Sequence, residues 1–190
     1  MRLAALGLTA LVFAACGGSS PAPVADVRPA ATPAEDLPRP HARNTCARQS
    51  GADFPGAFTN PDNLVVGPLA LIGGGTFTDA ATVREFGGNK FPLLVRAGHR
   101  VSIVVARDVR RFARLGYGPL PQGETKLRDG YVSATFIACR PGRSHSRADG
   151  EEVTFWSGFM LSRRPVCLAL DIAIDGAPPR RVRLELGKHC

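Results

Sequence analysis

Strict alternation of apolar and polar positions marks the last third of the chain. In Val166–Ile174 (VCLALDIAI), Leu168, Leu170, Ile172 and Ile174 share one face, and Cys167, Ala169, Asp171 and Ala173 share the other. That pattern predicts an antiparallel strand buried on one side. Asp175-Gly176 turns the chain, Ala177-Pro178-Pro179 lengthens the loop, and residues 181–186 return with Val182, Leu184 and Leu186 inward. Residues 131–139 (YVSATFIAC) and 153–161 (VTFWSGFML) read as two more strands, the second interrupted at Gly158. Upstream, 91–96 (FPLLVR) and 100–107 (RVSIVVAR) flank Ala97-Gly98-His99 and predict a hairpin. The run 63–72 (NLVVGPLALI) carries Gly67-Pro68 in its middle, so it predicts two short strands or a bulged edge strand. A short helix is predicted over 79–86, capped by Thr78 and stopped by Gly87. Residues 108–117 are ambiguous between helix and strand. Short strands punctuated by Gly and Pro, without a long helix, predict an all-β fold. The expectation is an antiparallel β-sandwich, Greek-key-like, as a single domain over residues 45–190.

The first residues follow a different rule. MRLAALGLTALVFAAC has a short basic start, an apolar run too short to span a bilayer, then small residues and a cysteine. This predicts a signal peptide over residues 1–15. Ala14-Ala15-Cys16 resembles the lipobox of bacterial lipoproteins, with Phe13 where that pattern usually has Leu. The resemblance implies a lipidated Cys16, held outside the cytoplasm on the cell membrane, or on an outer membrane where one exists. Residues 17–44 are rich in Pro, Ala, Gly and Ser and poor in large apolar side chains, which predicts a disordered tether.

Cysteines sharpen this picture. Apart from Cys16 there are four, an even number that predicts two disulfides in an exported domain. Strand parity puts Cys139 and Cys167 on the outer side of a sheet, predicting Cys139–Cys167 and, by remainder, Cys46–Cys190. No CxxC or HxxxH spacing supports a metal site, and no cofactor is expected.

Charge adds one candidate surface. The chain carries +8, almost all from arginine. The pairs Arg110-Arg111, Arg163-Arg164 and Arg180-Arg181 are a candidate anion-binding surface. The plainer reading is an arginine-rich composition that solvates the surface. No aromatic interleaving of the kind single-strand binders use is evident, so no nucleic acid is expected. Trp156 and Phe159 are core candidates, with an exposed aromatic patch as the alternative. Asp149-Gly150-Glu151-Glu152 reads as a solvated turn rather than a calcium loop.

Catalytic signatures are missing: there is no GxSxG and no SxxK. A Ser/His/Asp-type site using His99 or His145 is the enzymatic alternative, since triads assemble in space. From GPLALIGGG through ATFIAC and FWSGFM to LGKHC, residues 60–190 resemble exported β proteins of high-GC, actinobacterial type. That resemblance implies the domain limits and carries no activity. The expectation is therefore a membrane-anchored, non-enzymatic binding or structural module of the cell envelope. Its partners would be the bilayer through Cys16, and anionic envelope polymers or another envelope protein.

Overall fold

Thirteen strands and one α-helix form among residues 41–121 and 125–190, the part of the chain that the computed structural model describes. The leader, Cys16 and residues 17–40 lie outside the described residues. In order the elements are β1 (Ala42–Asn44), β2 (Leu64–Val66), β3 (Leu69–Leu71), α1 (Ala80–Phe86), β4 (Gly88–Lys90), β5 (Leu93–Arg96) and β6 (Arg100–Val105). There follow β7 (Ala113–Gly116), β8 (Ser133–Ile137), β9 (Ser146–Ala148), β10 (Glu151–Trp156), β11 (Phe159–Ser162), β12 (Val166–Ile174) and β13 (Arg180–Leu186).

Two five-stranded sheets, β1-β8-β6-β12-β13 and β2-β3-β5-β10-β9, share one core, and a third sheet, β4-β11-β7, adjoins them. Val101, Ile103, Val105, Leu168 and Leu170 of the first sheet join Leu69, Leu71, Leu93 and Val95 of the second in a single cluster. The alternation read in β12 and β13 is realised, with Leu168, Leu170 and Ile172 buried opposite Val182 and Leu184. The second sheet is covered on both faces: Ala70, Leu94 and Val153 pack on its far side with Phe54, Phe58 and Phe155. A strand buried on both sides has no reason to alternate, which accounts for the unbroken runs LALI and FPLLV. Pairing is antiparallel except for β1, which runs parallel to β8.

Four expectations are corrected. Residues 93–105 do not form a hairpin, because β5 and β6 belong to different sheets. The segment between them crosses the sandwich, turning at Gly98 (φ 84°), whose amide donates to the Cys139 carbonyl. The cap of α1 is Asp79, not Thr78: its carboxylate accepts from the amides of Ala81 and Thr82, and Gly87 ends the helix in the left-handed region. Strand structure begins at Ala42, inside the stretch expected to be tether, with Ala42 and Asn44 both buried.

The fourth correction is the disulfide pairing, which is Cys46–Cys139 and Cys167–Cys190. β6 separates β8 from β12, and the registers Phe136–Val101 and Val101–Ile174 put Cys139 past one end of the sheet and Cys167 near the other, about 30 Å apart along the strands and far beyond the reach of a disulfide. Because β1 runs parallel to β8, with Asn44 opposite Phe136, the two chains deliver Cys46 and Cys139 to the same end. Cys167 lies opposite Glu185, and the turn after β13 brings Cys190 back to it with a Cα separation of 5.0 Å.

Gly158 separates β10 from β11 and lets the chain leave the second sheet for the third. A Cβ there would lie 2.1 Å from Cδ1 of Tyr117. Tyr117 is fully buried, and its hydroxyl donates to the Phe91 carbonyl at 2.5 Å. Its ring meets Phe136 edge-on, and Phe136 in turn packs against Trp156, an aromatic column through the core.

Peptide mapping without reduction should recover Cys46 linked to Cys139 and Cys167 linked to Cys190. The two bridges span 93 and 23 residues, so the chain-entropy model assigns them about 4–5 and about 3 kcal/mol. Removing the first should therefore lower the denaturation midpoint more than removing the second. Gly158→Ala should cost about 3 kcal/mol or more through overpacking against Tyr117; an unchanged midpoint would contradict that contact.

Candidate anion-binding site

Five arginines gather where the turn before β7 meets the end of β11. Three features of the chain bring them there. Residues 107–112 form a tight turn after β6, held by Val109 and Phe112 amides donating to the carbonyls of Ala106 and Val109. β7 then pairs antiparallel with β11, placing Arg114 opposite Leu161. Finally, the Arg163 amide donates to the Phe112 carbonyl, and the Ser162 hydroxyl to the Arg164 carbonyl, which ties the second arginine pair to the first.

Of the six arginines in the predicted surface, four come together here. The guanidiniums of Arg111 and Arg164 lie over the Phe112 ring, 4.5 and 3.5 Å from its centre, an arrangement favourable by the ring's quadrupole. Arg110 donates from Nε to the Val105 carbonyl at 2.8 Å. Arg163 joins through the backbone contact above. The other pair lies on β13: Arg181 makes a two-point ion pair with Asp171 at 2.8 and 3.0 Å, which spends its charge internally, and Arg180 is exposed at the strand's start. The bond to Arg181 holds the Asp171 carboxyl below its ordinary range, with Arg110 adding to the effect.

Arg114 was missing from the sequence-predicted surface, and it is the residue with the most unusual surroundings. Only 8% of it is exposed. One terminal nitrogen donates to the carbonyl of Ala113, its own neighbour, at 2.8 Å, while Nε is buried without a partner. No carboxylate among the described residues pairs with it. Burial lowers its affinity for the proton, and the positive charges of Arg163 and Arg110 lower it further. A buried charge without a counter-ion is costly. A guanidinium keeps its proton under these conditions and presents a planar fork suited to carboxylate or phosphate oxygens. The spacing Arg110-Arg111-Phe112-Ala113-Arg114 was readable as a basic run. Which of its arginines would be buried follows from β7, a strand too short to announce itself.

The histidines do not assemble a catalytic set. His99 Nδ1 meets Asp175 Oδ2 at 2.7 Å, and Asp175 also accepts from the Arg100 amide. That amide first, then His99, holds the carboxyl of Asp175 low. The serine of the adjoining depression, Ser102, is bonded instead to Thr135 at 3.1 Å. His145 lines a depression of about 430 Å³ beside Cys46, with no carboxylate in its wall, and the Ser144 hydroxyl is bonded to Thr154. His41 meets the Ser133 hydroxyl at 3.0 Å. Histidine–acid and histidine–serine contacts thus occur on different histidines.

The acidic turn is structural. Asp149 accepts from the amides of Gly56 and Phe58, Glu152 accepts from the Gly142 amide, and Glu151 pairs with Arg96 at 2.7 Å. No group of three or more potential metal ligands occurs among the described residues. Trp156 and Phe159 part company: Trp156 is buried and donates to the Thr45 carbonyl, whereas Phe159 is 42% exposed. No helix among the described residues is long and apolar enough to cross a membrane, and two disulfides fit an oxidising, extracytoplasmic compartment. No protein-family model, curated protein or solved structure matches the chain.

An unpaired buried charge has a measurable signature. Arg114→Met keeps the length of the side chain and removes the charge, so in low-salt buffer free of phosphate it should stabilise the fold by about 1–3 kcal/mol. A clear loss of stability in denaturant titration would show that Arg114 holds the fold rather than waiting for an anion.

Proposed function

We propose that the chain is an exported lipoprotein, anchored through Cys16, whose β domain is a non-enzymatic module that binds anionic material of the cell envelope. The observation that carries the reading is the gathering of Arg110, Arg111, Arg114, Arg163 and Arg164 at one end of the domain, with Arg114 buried and without a carboxylate. Support for export comes from the leader pattern and from the two disulfides. At least two acyl chains, as lipoprotein processing supplies, would make the anchorage stable where one would not.

Binding through exposed arginines is electrostatic and hence screened, over about 10 Å at 0.1 M salt. The exposed members of the cluster attract; the buried one discriminates. Anionic lipid headgroups and acidic wall polymers both fit that description of a partner, and both lie where a lipid-anchored domain would reach them.

Cys16→Ser should move the protein from the membrane fraction to the soluble exported fraction with both disulfides intact; persistence in the membrane fraction would refute the anchor. The released protein should be retained by vesicles rich in anionic lipid at low ionic strength and freed as salt rises. Retention should weaken in an Arg111→Ala/Arg164→Ala double variant. Absent or salt-independent retention would remove anionic lipid from the reading.

A further inference from the structure

Beside the buried arginine the third sheet opens a groove. It has a volume of about 450 Å³ and is lined by Leu161 and Phe159 of β11, Phe86 at the end of α1 and Thr125. Phe86 is 70% exposed and Phe159 42%, two of the three exposed large apolar side chains among the described residues, the third being Phe77. Exposed aromatics at the rim of a concavity are costly in water and useful against an apolar ligand.

Two glycines let the side chains beside it pack closely. A Cβ on Gly116 would sit 3.1 Å from that of Phe159 and 3.4 Å from Cγ of Leu161. A Cβ on Gly130 would sit 2.5 Å from the Cβ of Arg114 and 2.8 Å from Cδ1 of Leu161. Leu161 is thus common to both features: it lines the groove and touches the same glycine as the stem of Arg114, its partner across the strands. The groove supplies apolar surface, and Arg114, whose stem approaches Leu161 at Gly130, supplies a positive charge with an Nε that makes no hydrogen bond. Arg84 and Glu85 at the rim carry opposite charges and leave that bias unchanged.

We propose that this corner is a binding site for an anionic amphiphile. The oxyanion head would pair with Arg114, supported by Arg110, and one alkyl segment would lie along Leu161, Phe159 and Phe86. The inference deepens the envelope-binding reading and rests on it for the setting, while naming the ligand chemistry. The head neutralises Arg114, a charge buried and unpaired among the described residues, and the alkyl segment covers the exposed aromatics. Neither inorganic phosphate nor a neutral detergent does both. The bilayer is a natural source.

The test is calorimetric titration of the full chain as its Cys16→Ser variant, both disulfides intact. The probes are octyl phosphate below its micellar concentration, inorganic phosphate, octanoate and octyl glucoside. Octyl phosphate should bind with one-to-one stoichiometry and at least about tenfold more tightly than inorganic phosphate, the worth of two buried methylene groups. Octyl glucoside should not bind. Octanoate binding comparably to octyl phosphate would identify the head requirement as any oxyanion and support the site. Arg114→Met should abolish octyl phosphate binding, and Phe86→Ala/Phe159→Ala should reduce it to the level of inorganic phosphate, with both variants keeping the two disulfides. Equal binding of octyl and inorganic phosphate, or unaltered binding by Arg114→Met, would overturn the proposal. Vesicle retention that survives in Arg114→Met while octyl phosphate fails to bind the parent would leave the broader envelope reading standing and this site refuted. The converse, octyl phosphate binding without vesicle retention, would uphold the site and remove the membrane surface as partner.

Discussion

The contact between Tyr117 and Gly158 is the constraint from which the rest of the architecture hangs. At Gly158 the chain passes from β10 in the second sheet to β11 in the third, with the Tyr117 ring pressed against the bare Cα. Tyr117 directly follows β7, so the contact lies at the end of the β7–β11 pair and fits its register. That register places Arg114 opposite Leu161. Burial pushes the phenol of Tyr117 far above its ordinary range and keeps it neutral, its hydroxyl satisfied by the Phe91 carbonyl. One edge-on ring, one missing side chain and one hydrogen bond therefore link the main core, through Phe136 and Trp156, to the corner where the arginines gather.

That corner departs from the economy seen elsewhere in the domain. Asp149, Glu152, Asp171 and Asp175 all find donors within the fold, and Arg96 and Arg181 find carboxylates. Among the described residues, Arg114 finds only the carbonyl of its neighbour. Folding stability is a small difference between large terms, and a charge buried at a net cost is retained where it does something besides holding the fold together. A ligand that neutralises it would return the cost as binding free energy, which makes the site selective for anions without any deep cavity. The open groove beside it then sorts anions by whether they carry an apolar tail.

What could be read in the sequence divides along physical lines. β12 and β13 were legible because each is buried on one face, and period-two alternation reports that directly. The break at Gly158 was legible as a glycine in a strand pattern, although its partner Tyr117 was not. The expected hairpin over residues 91–107 failed because a two-sheet crossing and a hairpin share the same local signal, strand–Gly–strand. Sheet membership is decided by packing: Leu93 and Val95 face one sheet while Leu94 packs on the far side. The disulfides failed for a related reason. Parity gives the face a cysteine points to, but not how many strands lie between two cysteines, and β6 intervenes. It also left out β1, three residues of unremarkable composition whose parallel pairing with β8 brings Cys46 to Cys139. At the candidate site, doublets of arginine were visible and four of those six residues do assemble. Arg114 escaped notice because burial, not sequence position, distinguishes it.

The unused donor of Arg114 is the atom that should meet the ligand, and arginine side-chain NMR addresses it directly. In a titration with octyl phosphate, the Nε–Hε resonance of Arg114, assigned by its loss in Arg114→Met, should shift and saturate with the binding isotherm. The Nε–Hε resonance of Arg181, already held by Asp171, should stay in place. A titration in which only exposed arginines such as Arg111 and Arg164 respond, and Arg114 does not move, would contradict it.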